Sequence, residues 1–182
     1  MNYDFTDAHY YLRLMNGLTG DRALIALNDV VLNDDRFLQA PGGVTKHHSY
    51  RHGLIIHTAE VMYNVVSMYV SRPPKELVTA VIWHDYMKCR DYALEWDQDC
   101  TKEVVRKTTY GNRIRHLAGS AMEFHREAHK RNIPQEQIET VEHLLLSHHG
   151  RREWGSPIEP ATAEAFILHA ADQMSAHGVN LQ

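Results

Sequence analysis

The sequence has few cysteines and none of the segments that direct a chain into or across a membrane. Its two cysteines, Cys89 and Cys100, form neither a CxxC pair nor a zinc-finger spacing, so neither a disulfide framework nor a thiolate zinc site is expected. No run of about 18 apolar residues occurs, and the first residues are too polar and acidic for a signal peptide. These absences predict a cytoplasmic protein without membrane contact.

A large excess of one charge is also missing. The chain has 19 Lys and Arg against 23 Asp and Glu, a formal charge of −4, which is not a global signature of binding to nucleic acid or membranes. Residues 102–131 are locally basic, with eight basic and three acidic side chains. This segment either faces an anion or forms ordinary solvated helix faces, and the charges alone do not separate the two.

The length and the apolar content predict one well-filled domain over residues 1–182. The chain has 182 residues, of which 43% are hydrophobic. Its unusual feature is 14 histidines, which form no tract and adjoin only as His47-His48 and His148-His149. Each histidine therefore needs its own explanation.

Hydrophobic periodicity predicts an all-α fold with one insertion. Apolar residues recur at spacings of three and four along most of the chain, and Pro or Gly residues separate the segments. Between about residues 91 and 111 the pattern alternates instead, which indicates a small β-hairpin or an irregular lid. The expected architecture is a helical bundle, with helices over about residues 20–34, 49–70, 74–88, 113–131, 134–147 and 160–176.

Three of these predicted helices place an ionisable side chain on their apolar face. His57 follows Leu54 by three residues, Asp85 follows Val81 by four, and Asp172 follows a leucine of the last helix by four. A single histidine in such a position is most often a core residue with an ordinary hydrogen bond. Buried carboxylates, however, cost several kcal/mol unless a cation meets them. A metal ion bound by His57, His84, Asp85 and Asp172 accounts for all of them together.

The mixture of imidazole and carboxylate ligands narrows the choice of metal. It suits a borderline divalent ion, with Mn²⁺ preferred, Fe, Co, Ni and Zn as alternatives, and Mg²⁺ less natural. Because no thiolate belongs to the set, we expect an open site rather than a closed structural zinc site.

Four sequence blocks resemble a known family. The chain is similar to the HD-domain phosphohydrolases over about residues 44–177, and within them to the HD domain of YhaM-type 3′–5′ exoribonucleases. The blocks are HHSYRHGLIIHT from His47, IWHDYMK from Ile82, YGNRIRH from Tyr110 and HHGRREWGSP from His148.

The resemblance implies a helical HD-type hydrolase that acts on a phosphate ester or anhydride. A divalent ion on the four residues named above would activate water for attack on phosphorus, with Asp85 in the catalytic set. The resemblance also places further histidines near that ion. They are His116, His148 and His149, so the site is expected to hold one or two ions.

The resemblance and the charges together suggest which residues contact the substrate. Lys88 and Arg51 are expected to bind phosphoryl oxygens, although a surface salt bridge is the ordinary alternative for each. Trp154 is the preferred aromatic for stacking on a base, ahead of Tyr110 and Trp83. His48 and Arg151 complete the expected substrate-binding set.

The sequence departs from the family pattern in three ways. YhaM-type enzymes carry an OB-fold before the HD domain, and only about 45 residues of helical pattern precede the first block here, which makes a polymer substrate less expected. Met87 replaces the glycine that usually lies between the His-Asp pair and the lysine. This change leaves open whether the local backbone has the family's conformation. Gly53 stands where trinuclear HD-GYP proteins have a glutamate, so three metal ions are not expected.

Several functions stay open at this point. The substrate is a nucleotide or a short single-stranded nucleic acid, and a nucleotidase and a 3′–5′ exonuclease differ only in what lies beyond the scissile phosphate. A non-catalytic, nucleotide-binding regulatory module is a further alternative, and oxygenase chemistry at a diiron site is a third, which Lys88 disfavours. Assembly into a homo-oligomer also stays open.

Overall fold

The computed structural model describes residues 4–44 and 48–178, so His47, at the start of the first sequence block, lies outside the described residues. Helices dominate, and a two-stranded sheet interrupts them. In chain order the elements are α1 Phe5–Leu18, α2 Arg22–Leu32, α3 Asp35–Gln39, α4 Gly53–Ser67, α5 Lys75–Trp83, α6 Lys88–Asp91, β1 Tyr92–Trp96, β2 Glu103–Lys107, α7 Thr109–Arg113, α8 His116–Lys130, α9 Gln135–Ser147, a 3-10 turn Arg152–Trp154, and α10 Ala163–Ala176.

Side chains just before several helices bind the free backbone N–H groups of the first turn. Asp4, Asp21, Asp34, Thr108 and Thr162 each accept such a hydrogen bond. Helix α2 occupies the segment that periodicity predicted as a helix over about residues 20–34, and Asp34 caps a separate short helix, α3, which was not predicted. The sequence prediction did not include α1.

The alternating segment forms the β-hairpin that was one of its two predicted structures. Strands β1 and β2 are antiparallel, with Tyr92 opposite Lys107 and Trp96 opposite Glu103. The hairpin follows α6 directly and leads into α7. The predicted all-α class with one small insertion is therefore confirmed.

Helices α4 and α5 occupy the middle of the bundle. Helix α4 packs against α10 and α1, and α5 packs against α9 and α2. Fully buried Asn28 accepts a hydrogen bond from Nε1 of Trp83 at 3.0 Å and donates one to Thr79 at 3.1 Å. This network fixes Trp83, which is a core residue, immediately before His84. Within the described residues, no helix is long and apolar enough to cross a membrane.

Candidate metal centre

Helices α4 and α10 and the residues after α5 bring together the four side chains that the sequence predicts as a metal site. His57, His84, Asp85 and Asp172 are buried, and one ligand atom from each lies within 4.8 Å of the others. Nε2 of His57 is 3.1 Å from Oδ1 of Asp172 and 3.2 Å from Oδ2 of Asp85. We call these four residues the first group.

A second group of possible ligands lies on the other side of Asp85. It consists of Asp85, His116, His148 and His149, again with one ligand atom each within 4.8 Å. Oδ1 of Asp85 is 3.3 Å from Nε2 of His116 and 3.6 Å from Nε2 of His148, and Nε2 of His116 is 3.3 Å from that of His149. Because Oδ2 faces the first group and Oδ1 the second, Asp85 is shared by both.

Two of these histidines occupy equivalent positions at the ends of helices. Helix α5 ends at Trp83, so the predicted helix to residue 88 is too long. Nδ1–H of His84 donates to the carbonyl of Val81 at 2.7 Å, and this carbonyl would otherwise accept from the backbone of Asp85. His148, after α9, binds the carbonyl of Leu145 in the same way at 2.7 Å. Each imidazole therefore ends its helix and keeps its Nε2 for a ligand bond.

The other histidines are also held through Nδ1, which is typical of metal-binding imidazoles. Nδ1–H of His57 donates to Oγ of Ser175 at 2.9 Å, and that hydroxyl donates to Oε2 of Glu60 at 2.7 Å. His116 is held by Asp91, whose Oδ2 accepts from its Nδ1–H at 2.9 Å and from its backbone N–H at 3.0 Å. These contacts fix the ring orientations and leave each Nε2 facing the centre.

The ring of His149 is held by a backbone carbonyl five residues further along the chain. Its Nδ1–H donates to the carbonyl of Trp154 at 3.1 Å. Burial is the largest reason that its pKa falls, to about 3, and the neighbouring His148 and His116 add to the effect. His149 is therefore a neutral imidazole at physiological pH.

Unsatisfied buried atoms support a cation at this position. Both carboxylate oxygens of Asp85 and Nε2 of His148 are buried without a hydrogen-bond partner among the described residues. Nζ of Lys88 lies 2.5 Å from Oδ2 of Asp85, which gives the charge a partner but not one with hydrogen-bond geometry. Buried lone pairs without a partner are costly, and divalent ions are bound by such atoms. The residues therefore fit one or two divalent ions.

Lys88 keeps its positive charge in this environment. Burial lowers its pKa, but the carboxylates of Asp85 and Asp172 outweigh burial, and the net pKa is raised. The side chain lines the cavity at the centre. It is thus a permanent point charge beside both groups.

His57 is also protonated when no metal is bound. Burial lowers its pKa, but hydrogen bonds with Asp172 and Asp85 outweigh burial and raise the pKa to about 9. The charge of His57 in turn holds the pKa of Asp172 below its usual range despite burial. A metal ion at the first group must therefore displace a proton from His57.

This competition predicts a metal affinity that depends on pH. Below the His57 pKa of about 9, each unit increase in pH should raise the affinity of the first group about tenfold, because binding releases one proton. Titration calorimetry with Mn²⁺ between pH 6 and 9, in buffers of different ionisation enthalpy, measures this release. The second group is an internal control, since burial lowers the pKa of His116 and of His149. If the affinity of the first group does not change over this range, His57 is not a ligand that must lose a proton to the metal.

A cavity of about 790 Å³ opens onto both groups. Among the residues predicted to bind substrate, His48, Lys88 and Trp154 line it. His48 also contacts Glu60, with Nε2 3.2 Å from Oε2. Arg151 instead lines a neighbouring cavity.

The structure does not bring Arg51 to the cavity, contrary to its predicted position next to Lys88. Its guanidinium pairs with Glu103 on β2 and donates to Gln39 at 3.0 Å. The turn before α4 therefore directs it toward the hairpin. Tyr110, another stacking candidate, is not among the residues that line the cavity. The guanidinium carbon of Arg90 lies 4.2 Å from the centroid of its ring.

Sequence reasoning missed a cation that does line the cavity. Arg115 stands immediately before His116, and its side chain lines the cavity without a hydrogen bond or ion pair to other described residues. Its neighbours in the basic segment behave differently, since Arg126, Lys130 and Arg131 pair with Glu127 on α8. These three cations therefore belong to ion pairs on α8 and not to the cavity. The YGNRIRH block contained the signal that would have identified Arg115.

The glycine positions explain two departures from the family pattern. A Cβ on Gly53 would lie 2.0 Å from the carbonyl oxygen of His48, so no side chain fits there. Met87 has φ −77° and ψ 3°, which any residue adopts, so the backbone does not require glycine there.

Comparison with known proteins decides the family. The family model described as HD domain matches residues 46–177. The chain belongs to the HD domain family. This membership confirms the predicted resemblance. Members of the family bind divalent metals, in agreement with the two histidine and aspartate groups.

Curated relatives of this HD domain carry the name 3′-5′ exoribonuclease YhaM. The protein from Bacillus pumilus is 32% identical over 143 residues, which cover 77% of this chain and 43% of the relative. The one from Bacillus subtilis is 30% identical over 147 residues, 79% of this chain and 45% of the relative. The one from Listeria monocytogenes is 33% identical over 145 residues, which cover 78% of this chain and 44% of the relative. The chain spans less than half the length of these relatives. No solved structure matches it significantly.

Proposed function

We propose that this HD domain is a metal-dependent hydrolase of a phosphate ester or anhydride in a nucleotide or short oligonucleotide. The observation that carries the proposal is the pair of ligand groups that share Asp85, with the charged Lys88 beside them in one cavity. Two adjacent cation sites and a fixed ammonium group suit a substrate with a phosphoryl group.

The ions would be held by the first group and by the second group, with Asp85 between them. Bound divalent ions would lower the pKa of water and stabilise the charge that develops on phosphoryl oxygens. Mn²⁺ is our first candidate, because histidine and aspartate ligands are combined. The metal identity and the number of ions are part of the proposal.

The chain's own residues orient and neutralise the substrate. Lys88 remains protonated and can donate to a phosphoryl oxygen from inside the cavity. Asp91 and Ser175 keep the rings of His116 and His57 in position. Trp154 offers an aromatic face at the cavity for a base.

Arg115 is the second phosphate contact that we propose, in place of Arg51. It reaches the cavity without a protein partner, so its charge is available to a substrate oxygen. Arg115→Gln should raise KM about tenfold and change kcat by less than threefold, because the residue binds but does not react. Steady-state kinetics measure this, with Arg113→Gln, an exposed arginine two residues earlier, as the control. Equal effects of the two variants would remove Arg115 from the site.

A 3′–5′ exonuclease acting on single-stranded RNA or DNA is the second candidate. The YhaM relatives favour it, since they are named as exoribonucleases and are 30% to 33% identical. A regulatory module that binds nucleotides without turnover is the third. The retained lysine and complete ligand groups argue against this module.

One assay separates these functions. Metal-loaded protein is incubated with nucleoside mono-, di- and triphosphates, cyclic nucleotides, and short RNA and DNA, with and without a chelator. We expect chelator-sensitive release of phosphate or nucleoside monophosphate from at least one substrate. Successive release of nucleoside monophosphates from a 3′ end identifies the exonuclease. Tight binding with no turnover on any substrate would contradict the enzyme and favour the regulatory module.

Three broader expectations remain part of the proposal. They are a cytoplasmic location, a single domain over residues 1–182 and assembly into a homo-oligomer. Cell fractionation, limited proteolysis and sedimentation measure them in turn.

A further inference from the structure

A second cavity adjoins the one at the metal centre. Its volume is about 330 Å³, within the range of small-ligand sites. Trp154 lines both cavities and therefore forms a shared wall. The lining residues are Gly150, Arg151, Trp154, Glu159, Pro160, Phe166 and His169.

The second cavity exposes an unusual amount of aromatic surface. Trp154 is 54% exposed and Phe166, on α10, is 59% exposed. The ring of His169 stacks against Trp154 with centroids 5.9 Å apart and an interplanar angle of 23°. Flat apolar surfaces of this kind, left open to solvent, suit a planar aromatic ligand.

Arg151 in the same cavity supplies a positive charge that suits the phosphate of a nucleotide. The guanidinium carbon of Arg151 lies 5.3 Å from the centroid of the Trp154 ring. Within the described part of the chain, Arg151 forms no ion pair, so its charge is available to a phosphate. An aromatic platform next to a free arginine is the usual combination in sites for single-stranded nucleic acid.

The wall of the second cavity is coupled to the ligands of the metal centre. Nδ1–H of His169 donates to the carbonyl of His148 at 2.8 Å. Its ring packs over Gly150, where a Cβ would lie only 2.6 Å from Cε1 of the imidazole. His169 thus joins the turn of His148 and His149 to Trp154.

We propose that the second cavity is a subsite for a nucleobase, that of the nucleotide next to the one whose phosphate is hydrolysed. Phe166 stacks on this base, Trp154 separates it from the metal centre, and Arg151 binds its phosphate. The inference rests on the proposed function, and it specifies a substrate of at least two nucleotides in a single strand.

The test compares a substrate that fills the subsite with one that does not. The long substrate is tetrauridylate or tetrathymidylate, and the short one is the methyl ester of thymidine 5′-monophosphate, whose leaving group carries no ring that could occupy the subsite. Phe166→Ala should lower kcat/KM for the tetranucleotide about tenfold and change that for the ester less than twofold. Tyr10→Ala is the matched control, because Tyr10 is an aromatic that is 71% exposed on α1 and lines neither cavity.

A binding measurement separates failure of the subsite from failure of the proposed function. Fluorescence anisotropy with a labelled tetranucleotide should show about tenfold weaker binding for Phe166→Ala and no change for Tyr10→Ala. If the wild type hydrolyses neither substrate, the proposed function fails while anisotropy still decides the subsite. Equal binding and equal substrate preference in Phe166→Ala and the wild type would overturn the inference. So would a changed oligomeric state of Phe166→Ala in sedimentation, which would make the patch a contact between copies.

Discussion

Replacing Asp85 by asparagine should lower kcat by about a thousandfold or more and remove bound metal from both groups. Asp85 is the one residue that the two groups share, with Oδ2 facing His57 and Oδ1 facing His116. Metal ions supply several kcal/mol of transition-state stabilisation, and about 1.4 kcal/mol corresponds to a factor of ten. Turnover assays and elemental analysis of the purified variant measure the two effects.

The control for this variant is Asp99→Asn in the exposed hairpin turn, which should keep full activity and metal content. Circular dichroism of both variants checks that the helices are retained, since Asp85 is buried. A folded Asp85→Asn protein that keeps both ions, or that keeps more than a tenth of its turnover, would contradict the shared role of Asp85.

Replacing His148 by glutamine should reduce the metal content from two ions per chain to one and lower kcat/KM about a hundredfold. Nε2 of His148 is buried without a hydrogen-bond partner in the described part of the chain, which suits a ligand to the second ion. Glutamine keeps much of the side-chain volume but replaces the imidazole ligand. Two-metal sites stabilise both the attacking and the leaving oxygen, so loss of one ion should leave partial activity.

A histidine outside both groups provides the comparison. His125 on α8 is exposed and pairs with Glu142, and His125→Gln should leave metal content and kinetics unchanged. If the wild type and His148→Gln both bind a single ion with equal affinity, the second group is not a metal site. In that case the first group alone would account for the function.

Periodicity correctly placed the residues that lie in the middle of helices. His57 on α4 and Asp172 on α10 share the apolar faces of their helices, and the structure buries both. The alternating pattern between about residues 91 and 111 likewise predicted a hairpin or an irregular lid, and the structure has the hairpin. Local spacing was sufficient in these cases because each side chain's direction depends only on its own element. Helix α1 could have been found in the same way, from Ala8, Leu12 and Met15.

Long-range contacts were beyond the sequence. Helix α5 ends at Trp83 because the His84 ring binds the Val81 carbonyl, a contact that periodicity does not report. Asp91 holds His116 from 25 residues away, and Ser175 joins His57 to Glu60 across more than 100 residues. Such partners are specified by how helices pack rather than by spacing along the chain.

The two arginines show the same limit. Arg51 precedes His57 by six residues and was expected at the phosphate, but it pairs with Glu103 on the hairpin. Arg115 lines the cavity because α8 begins there, next to His116. Proximity in sequence therefore does not indicate which of the two cations lines the cavity.

Anomalous scattering from crystals of the Mn²⁺-loaded protein tests the central claim most directly. We expect two manganese peaks, one between His57, His84, Asp85 and Asp172 and one between Asp85, His116, His148 and His149. Data collected above and below the manganese edge identify the element. Peaks at other residues, or no ordered ion beside Asp85, would contradict the claim that Asp85 is shared by two metal sites.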